Sequence, residues 1–257
     1  MDDYTHDDWE ITEEDEAYFA RLATEAAEMK VADYLAKHPQ PLQNSNQLMA
    51  KFQQEIKLEA DYTFDETVAG YKALAEGLPH VLGDLDDDES HRVRREYERW
   101  QEFMASISSG GEFLDTVLHS GKSLQEAFFL SNETMSYFYQ VGRRYIQEGD
   151  YEKAKSLFFL LSHLNGGVYE FWLGLAIAYQ ETGDIEHAIA AYKKSKNIRE
   201  NDPTVELFLA DCFLDLNVPG EAEEHLHLAK EKMTKSHEYA FLKPKIKQIS
   251  QKLKTLS

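Results

Sequence analysis

Between residues 135 and 229 the chain repeats itself at an interval of 34 residues. Gly142, Ala176 and Ala210 fall in step, as do Tyr145, Tyr179 and Phe213. Gly149, Gly183 and Asn217 form a third column, Ala154, Ala188 and Ala222 a fourth, and Phe158, Tyr192 and Leu226 a fifth. Columns of matching size at one period leave few ways for the segment to fold, because each has a physical job. The first small residue lets one helix approach the next closely, and the aromatic three residues later lies on the same helical face. Gly149 and Gly183 suit the left-handed residue that ends a helix. Asp150 and Asp184 then stand where an N-cap belongs. Asn217 is the second choice for the left-handed position, and Pro219 can begin the next helix without losing a needed N–H. The alanine column again permits close approach, and each buried aromatic contributes roughly 1.5–3 kcal/mol.

Small-x-x-aromatic in one helix and Ala-x-x-x-aromatic in the next, at this period, is the tetratricopeptide signature. The expected fold is therefore all-α, with three repeats (about 135–168, 169–202 and 203–236) in a curved helical stack. Residues 237–255 follow as a basic amphipathic helix through Tyr239, Leu242, Ile246, Ile249 and Leu253. A stack needs such a cap to cover its last apolar face.

Six prolines and 13 glycines in 257 residues, with abundant Ala, Leu, Glu and Lys, agree with a helical chain. No run approaches the ~18 apolar residues of a membrane span. The opening Met-Asp-Asp-Tyr is neither a secretory signal nor an Arg-rich transit peptide. Cys212 is the only cysteine, so no internal disulfide can form, in keeping with a reducing compartment. The net charge of −20 is uneven: residues 1–119 hold 28 acidic and 10 basic side chains, residues 120–257 hold 19 and 17. An acidic chain is a poor partner for nucleic acid, whose binding rests on neutralising phosphates. The split predicts an acidic, mostly helical N-terminal extension over 1–119 and a repeat domain over 120–257.

Within the extension, the first sixteen residues carry nine acids and no Lys or Arg, which predicts a disordered or loosely helical start. Helical spacing runs from Glu13 to Lys37 and is broken by His38-Pro39-Gln40-Pro41. A second amphipathic run covers 45–60. A third, around Val68 to Leu74, is expected to end at Gly77-Leu78-Pro79. An acidic turn (84–89) precedes a helix through Val93, Tyr97, Trp100, Phe103 and Ile107. Ser108-Ser109-Gly110-Gly111 then marks a break, and one or two short helices over 112–130 lead into the repeats.

Three apparent motifs carry no chemistry. Gly121-Lys122-Ser123 resembles the end of a phosphate loop, but Thr116 replaces the glycine needed five residues earlier. Asp84, Asp86 and Asp88 resemble the start of a calcium loop, but Glu89 replaces its turn glycine and Arg95 its twelfth-position Glu. His225 and His227, two apart on a helix, point in different directions. With no nucleophile paired to a base, the chain is expected to bind rather than catalyse.

In a repeat stack the first helix of each pair lines the concave side. Counting from Met135, Tyr169 and Pro203, groove positions two, five, nine and twelve are Ser136, Tyr139, Arg143 and Ile146, then Glu170, Leu173, Ile177 and Gln180, then Thr204, Leu207, Asp211 and Leu214. Apolar side chains on such a partly exposed surface are candidates for peptide capture.

The wording around the repeats is more specific. Gly121-Lys122-Ser123-Leu124-Gln125-Glu126 and Leu130-Ser131-Asn132-Glu133-Thr134-Met135 lead into Tyr137-Phe138-Tyr139 and Gly149-Asp150-Tyr151-Glu152-Lys153-Ala154. Phe158-Phe159-Leu160-Leu161, Phe171-Trp172-Leu173-Gly174-Leu175-Ala176, Ala210-Asp211-Cys212 and Pro219-Gly220-Glu221-Ala222 follow. Over about residues 110–257 the chain resembles the class II (translocator) chaperones of bacterial type III secretion. The resemblance implies a cytoplasmic bacterial protein that uses no cofactor or ATP and can dimerise through N-terminal helices. It further implies a concave groove that holds an extended segment of a hydrophobic translocator, keeping it soluble and export-competent before secretion. The groove would be built from Tyr139, Arg143, Ile146, Leu173, Ile177, Gln180, Leu207, Asp211 and Leu214. Ile146 stands where many relatives carry an aromatic, and the long 1–119 extension departs from the family. A generic tetratricopeptide scaffold or regulator is the alternative. A clamp for heat-shock-chaperone tails would need Lys and Asn where this chain has Tyr139 and Gly174, with Thr204 and Phe208 in the third repeat.

Overall fold

Among the residues that the computed structural model describes (13–37, 45–106, 117, 120–234 and 237–256), every regular element is helical. In order these are α1 (Glu13–Lys37), α2 (Ser45–Leu82), α3 (Asp87–Ser106), α4 (Leu124–Ala127), α5 (Asn132–Glu148), α6 (Tyr151–Leu164), α7 (Tyr169–Glu181), α8 (Ile185–Ile198), α9 (Pro203–Asp215), α10 (Pro219–Thr234) and α11 (Lys243–Leu256). A 3-10 segment, His237–Leu242, precedes α11. Residues 1–12 of the acidic start, the His38-Pro39-Gln40-Pro41 break and the Ser108-Ser109-Gly110-Gly111 break lie outside the described residues.

The chain forms two compact units: residues 1–65 with 98–122, and residues 66–97 with 123–257. In the first, Ala27, Val31, Leu48, Trp100 and Val117 are buried, and the Tyr34 and Phe52 rings meet edge-on at 6.3 Å. This division differs from the one expected near Ser120. Residues 66–97, expected in the extension, belong with the repeats.

The reason is a close helix contact invisible to local sequence. A Cβ on Gly70 would lie 2.2 Å from the Ser156 carbonyl oxygen, and one on Gly77 would lie 2.3 Å from Val141 Cγ1. The two glycines, seven apart on one face of α2, let its C-terminal half lie directly on α5 and α6. Polar groups fasten the contact. Tyr145 Oη donates to the Ala73 carbonyl at 2.8 Å, Ser156 Oγ donates to Glu66 at 2.7 Å, and Lys153 donates to Glu76 at 2.6 Å. The first turns of α3 complete the cover: Tyr97 stacks on Tyr71 and meets Phe138 edge-on, while Glu96 accepts from the Ser131 N–H. The acidic turn serves α3 as a cap, with Asp86 accepting from the Glu89 N–H at 2.9 Å and Glu89 accepting from Tyr137 Oη. Residues 66–97 thus cap the first repeat.

The same contact corrects a helix boundary. Gly77 and Pro79 do not end a run at Leu74, and 45–82 is one 38-residue helix. Gly77 is there for close approach. Pro79 falls in the last turn, where its missing N–H costs a single ladder bond.

Helices α5 to α10 form the three expected pairs, each packing on the next. Gly149 and Gly183 hold φ of 78° and 84°, and Asp150 and Asp184 cap the helices that follow, accepting from the N–H of Lys153 and His187. The Phe158 ring of α6 is fully buried and would meet a Cβ on Gly142 of α5 or Gly174 of α7 at under 3 Å. Each ring of the Tyr145, Tyr179 and Phe213 column is covered by the next helix. Lys153 lies 5.6 Å from the first, His187 5.3 Å from the second and His225 5.4 Å from the third.

Candidate functional site

Helices α5 and α7 carry the better-formed part of the expected groove. Tyr139 is half-buried, its ring edge-on to Phe158 at 5.9 Å and tilted against Phe171 at 6.2 Å. Burial raises its phenol above the ordinary value, with the Arg143 charge acting against this. Arg143 is exposed, its guanidinium carbon 6.0 Å from the Tyr139 ring centre. Ile146, Leu173 and Ile177 are partly exposed. Gln180 accepts from Tyr192 Oη at 2.9 Å, which leaves its amide N–H₂ group available. Tyr139, Arg143 and Ile146 follow one another at steps of four and three on α5, and Leu173, Ile177 and Gln180 do the same on α7, so each set shares one helical face. The result is an apolar strip with one cation and one amide on it.

The third helix is different. Leu207, Asp211 and Leu214 are all buried, at 1%, 5% and 7% exposure. Leu207 and Leu214 share a core with Leu242 and Ile249, and Ile246 and Leu253 pack against it. Asp211 is held by Lys245 and, at 2.8 Å, by Lys252. Burial pushes the Asp211 carboxyl up, but the two ammonium groups outweigh it and hold the group below its ordinary range. These three residues are therefore part of the C-terminal core and present no open surface. The expected C-terminal cap is present as α11, but repeat position does not show that its Ile246, Ile249 and Leu253 cover the third groove row of α9 and that its Lys245 and Lys252 reach back to Asp211.

One buried charged group carries no signal in the repeat columns. Glu206 of α9 is fully enclosed, facing Lys196 at 3.0 Å, His225 Nδ1 at 2.7 Å and Lys232 at 2.6 Å. Burial opposes its charge, yet these bonds pull its carboxyl down to about 2. It ties α8, α9 and α10 together. Cys212 is also buried, and burial pushes its thiol up to about 12. Among the described residues, no group of three or more His, Cys, Asp or Glu side chains is placed to hold a metal ion. No described helix is long and apolar enough to cross a membrane.

Residues 169–202 match the tetratricopeptide repeat family. The fold is a tetratricopeptide-repeat stack. No curated protein matches the chain in sequence. Among solved structures, a type III secretion system complex from Aeromonas hydrophila is similar at 25% identity and a TM-score of 0.51, covering 55% of this chain and 95% of that one. The Yersinia enterocolitica type III secretion chaperone SycD, in complex with a peptide of the translocator YopD, aligns at 27% identity with a TM-score of 0.46, over 49% of this chain and 96% of that one. PcrH from Pseudomonas aeruginosa aligns at 23% identity with a TM-score of 0.45, over 49% and 94%. The tetratricopeptide stack of this chain thus resembles a chain of that Aeromonas type III secretion complex.

Proposed function

We propose that this protein is a type III secretion chaperone that holds an extended segment of a hydrophobic translocator protein on the concave face of its repeats. The observation that carries the reading is the strip on α5 and α7. Tyr139, Ile146, Leu173 and Ile177 remain partly exposed although neighbouring repeat positions are buried. The similarity to a type III secretion complex across 95% of that chain supports it.

A translocator carries membrane-seeking segments that aggregate or insert early in the cytoplasm. Apolar side chains of an extended segment, alternating along one face, enter the strip and are removed from water. An affinity between micromolar and nanomolar, roughly −8 to −12 kcal/mol, keeps the cargo soluble and still releasable for export. Binding, without catalysis or cofactor, accounts for the activity.

The test is co-expression with a translocator that is insoluble alone. A soluble one-to-one or higher complex is expected. Cargo that stays insoluble beside a folded partner contradicts the proposal.

A further inference from the structure

Arg143 sits in the middle of the apolar strip, four residues after Tyr139 and three before Ile146, on the same face of α5. Its guanidinium lies over the Tyr139 ring at 6.0 Å, and among the described residues it has no carboxylate partner. Three other arginines of this unit do have one: Arg92 pairs with Glu133, Arg144 with Glu148, and Arg199 with Glu170. Glu170, which also acts on Tyr139, is therefore already engaged. In a chain of net charge −20, the strip presents an exposed cation with no acid of its own.

We propose that the segment held on the strip carries an acidic side chain beside its apolar anchors, and that Arg143 selects for it. This rests on the groove reading above. An apolar segment lying across α5 and α7 strips water from one side of the guanidinium. Without a counter-charge that desolvation works against binding. A peptide carboxylate restores the lost hydrogen bonds in a charge-assisted form, and the planar fork of arginine suits a two-oxygen acceptor. A lysine at the same peptide position meets like charge instead. Tyr139 supports the arrangement by holding the guanidinium against its ring face.

The probes are three fluorescein-labelled synthetic dodecapeptides with leucine and serine alternating, identical except for Glu, Gln or Lys at one central position. Anisotropy with the full chain gives each affinity, and circular dichroism checks that every variant is folded. Wild type is expected to bind the Glu peptide about fivefold more tightly than the Gln peptide, the ratio for a partly exposed ion pair, with the Lys peptide weakest. High salt narrows the gap. Arg143→Glu reverses the order, and Leu173→Glu loses all three. If wild type binds all three equally while Leu173→Glu binds none, the acid preference is overturned and the groove stands. If Leu173→Glu still binds them, or wild type binds none, the groove reading itself is overturned.

Discussion

Lys252 of α11 donates to the Asp211 carboxylate of α9 at 2.8 Å, across 41 residues of sequence. With Lys245 on the other oxygen, this contact closes the third repeat and turns an expected groove position into a buried anchor. Replacing both lysines by methionine is expected to destabilise the fold by about 1–3 kcal/mol, because Asp211 is left buried without a counter-charge. The figure is below that for a fully buried pair, since both lysines are partly exposed. Chemical denaturation reads the loss, and peptide binding to α5 and α7 should not change.

Leu173 and Leu207 occupy the same position of successive repeats but have opposite fates. Leu207→Ala is expected to cost about 2–5 kcal/mol, as for a fully buried leucine. Leu173→Ala should cost about 1 kcal/mol or less, because its side chain is already part exposed. Thermal melts of the two variants separate core from strip. Equal losses would contradict the division.

Glu206 gives the fold an acid-sensitive joint. Its carboxyl titrates at about 2 when folded, against 4.5 ordinarily. A depressed folded value means that the stabilisation is fully present above pH 4.5 and is lost as pH falls toward 2. The contribution is at most about 3 kcal/mol. Glu206→Gln is expected to flatten that part of the stability–pH curve while lowering stability at neutral pH. A variant curve parallel to wild type between pH 4.5 and 2 would contradict the assignment.

Two glycine substitutions should act in opposite directions. Gly70→Ala places a Cβ against the Ser156 backbone, which cannot move cheaply, and should cost about 1–3 kcal/mol. Gly220→Ala, in the first turn of α10 with open space around it, should stabilise by up to about 1 kcal/mol. Denaturant midpoints of both variants check this, and a neutral Gly70→Ala would place residues 66–97 elsewhere.

The repeats were legible because their contacts are local. Gly149, Asp150, Gly183 and Asp184 set helix ends within a few residues, and the columns recur at a period that any single chain displays. The cap formed by residues 66–97 was hidden because its contacts join positions from 35 to 90 apart in the chain. Gly77 and Pro79 read as helix breakers, whereas Gly77 is a contact point. The strip on α5 and α7 followed from repeat position. Its third row did not, because exposure there is decided by α11 folding back, a tertiary event to which repeat numbering is blind. Glu206 stood out in no column, since its three partners come from two other helices.

The most direct test is to purify a translocator with wild-type protein and with the Tyr139→Ala, Leu173→Glu double variant, using circular dichroism to show that both are folded. Size exclusion and calorimetry then report the complex. Wild type is expected to hold the cargo in solution, and the folded double variant is expected to lose it. A double variant that holds the cargo as tightly as wild type would contradict the groove and move the search to another surface.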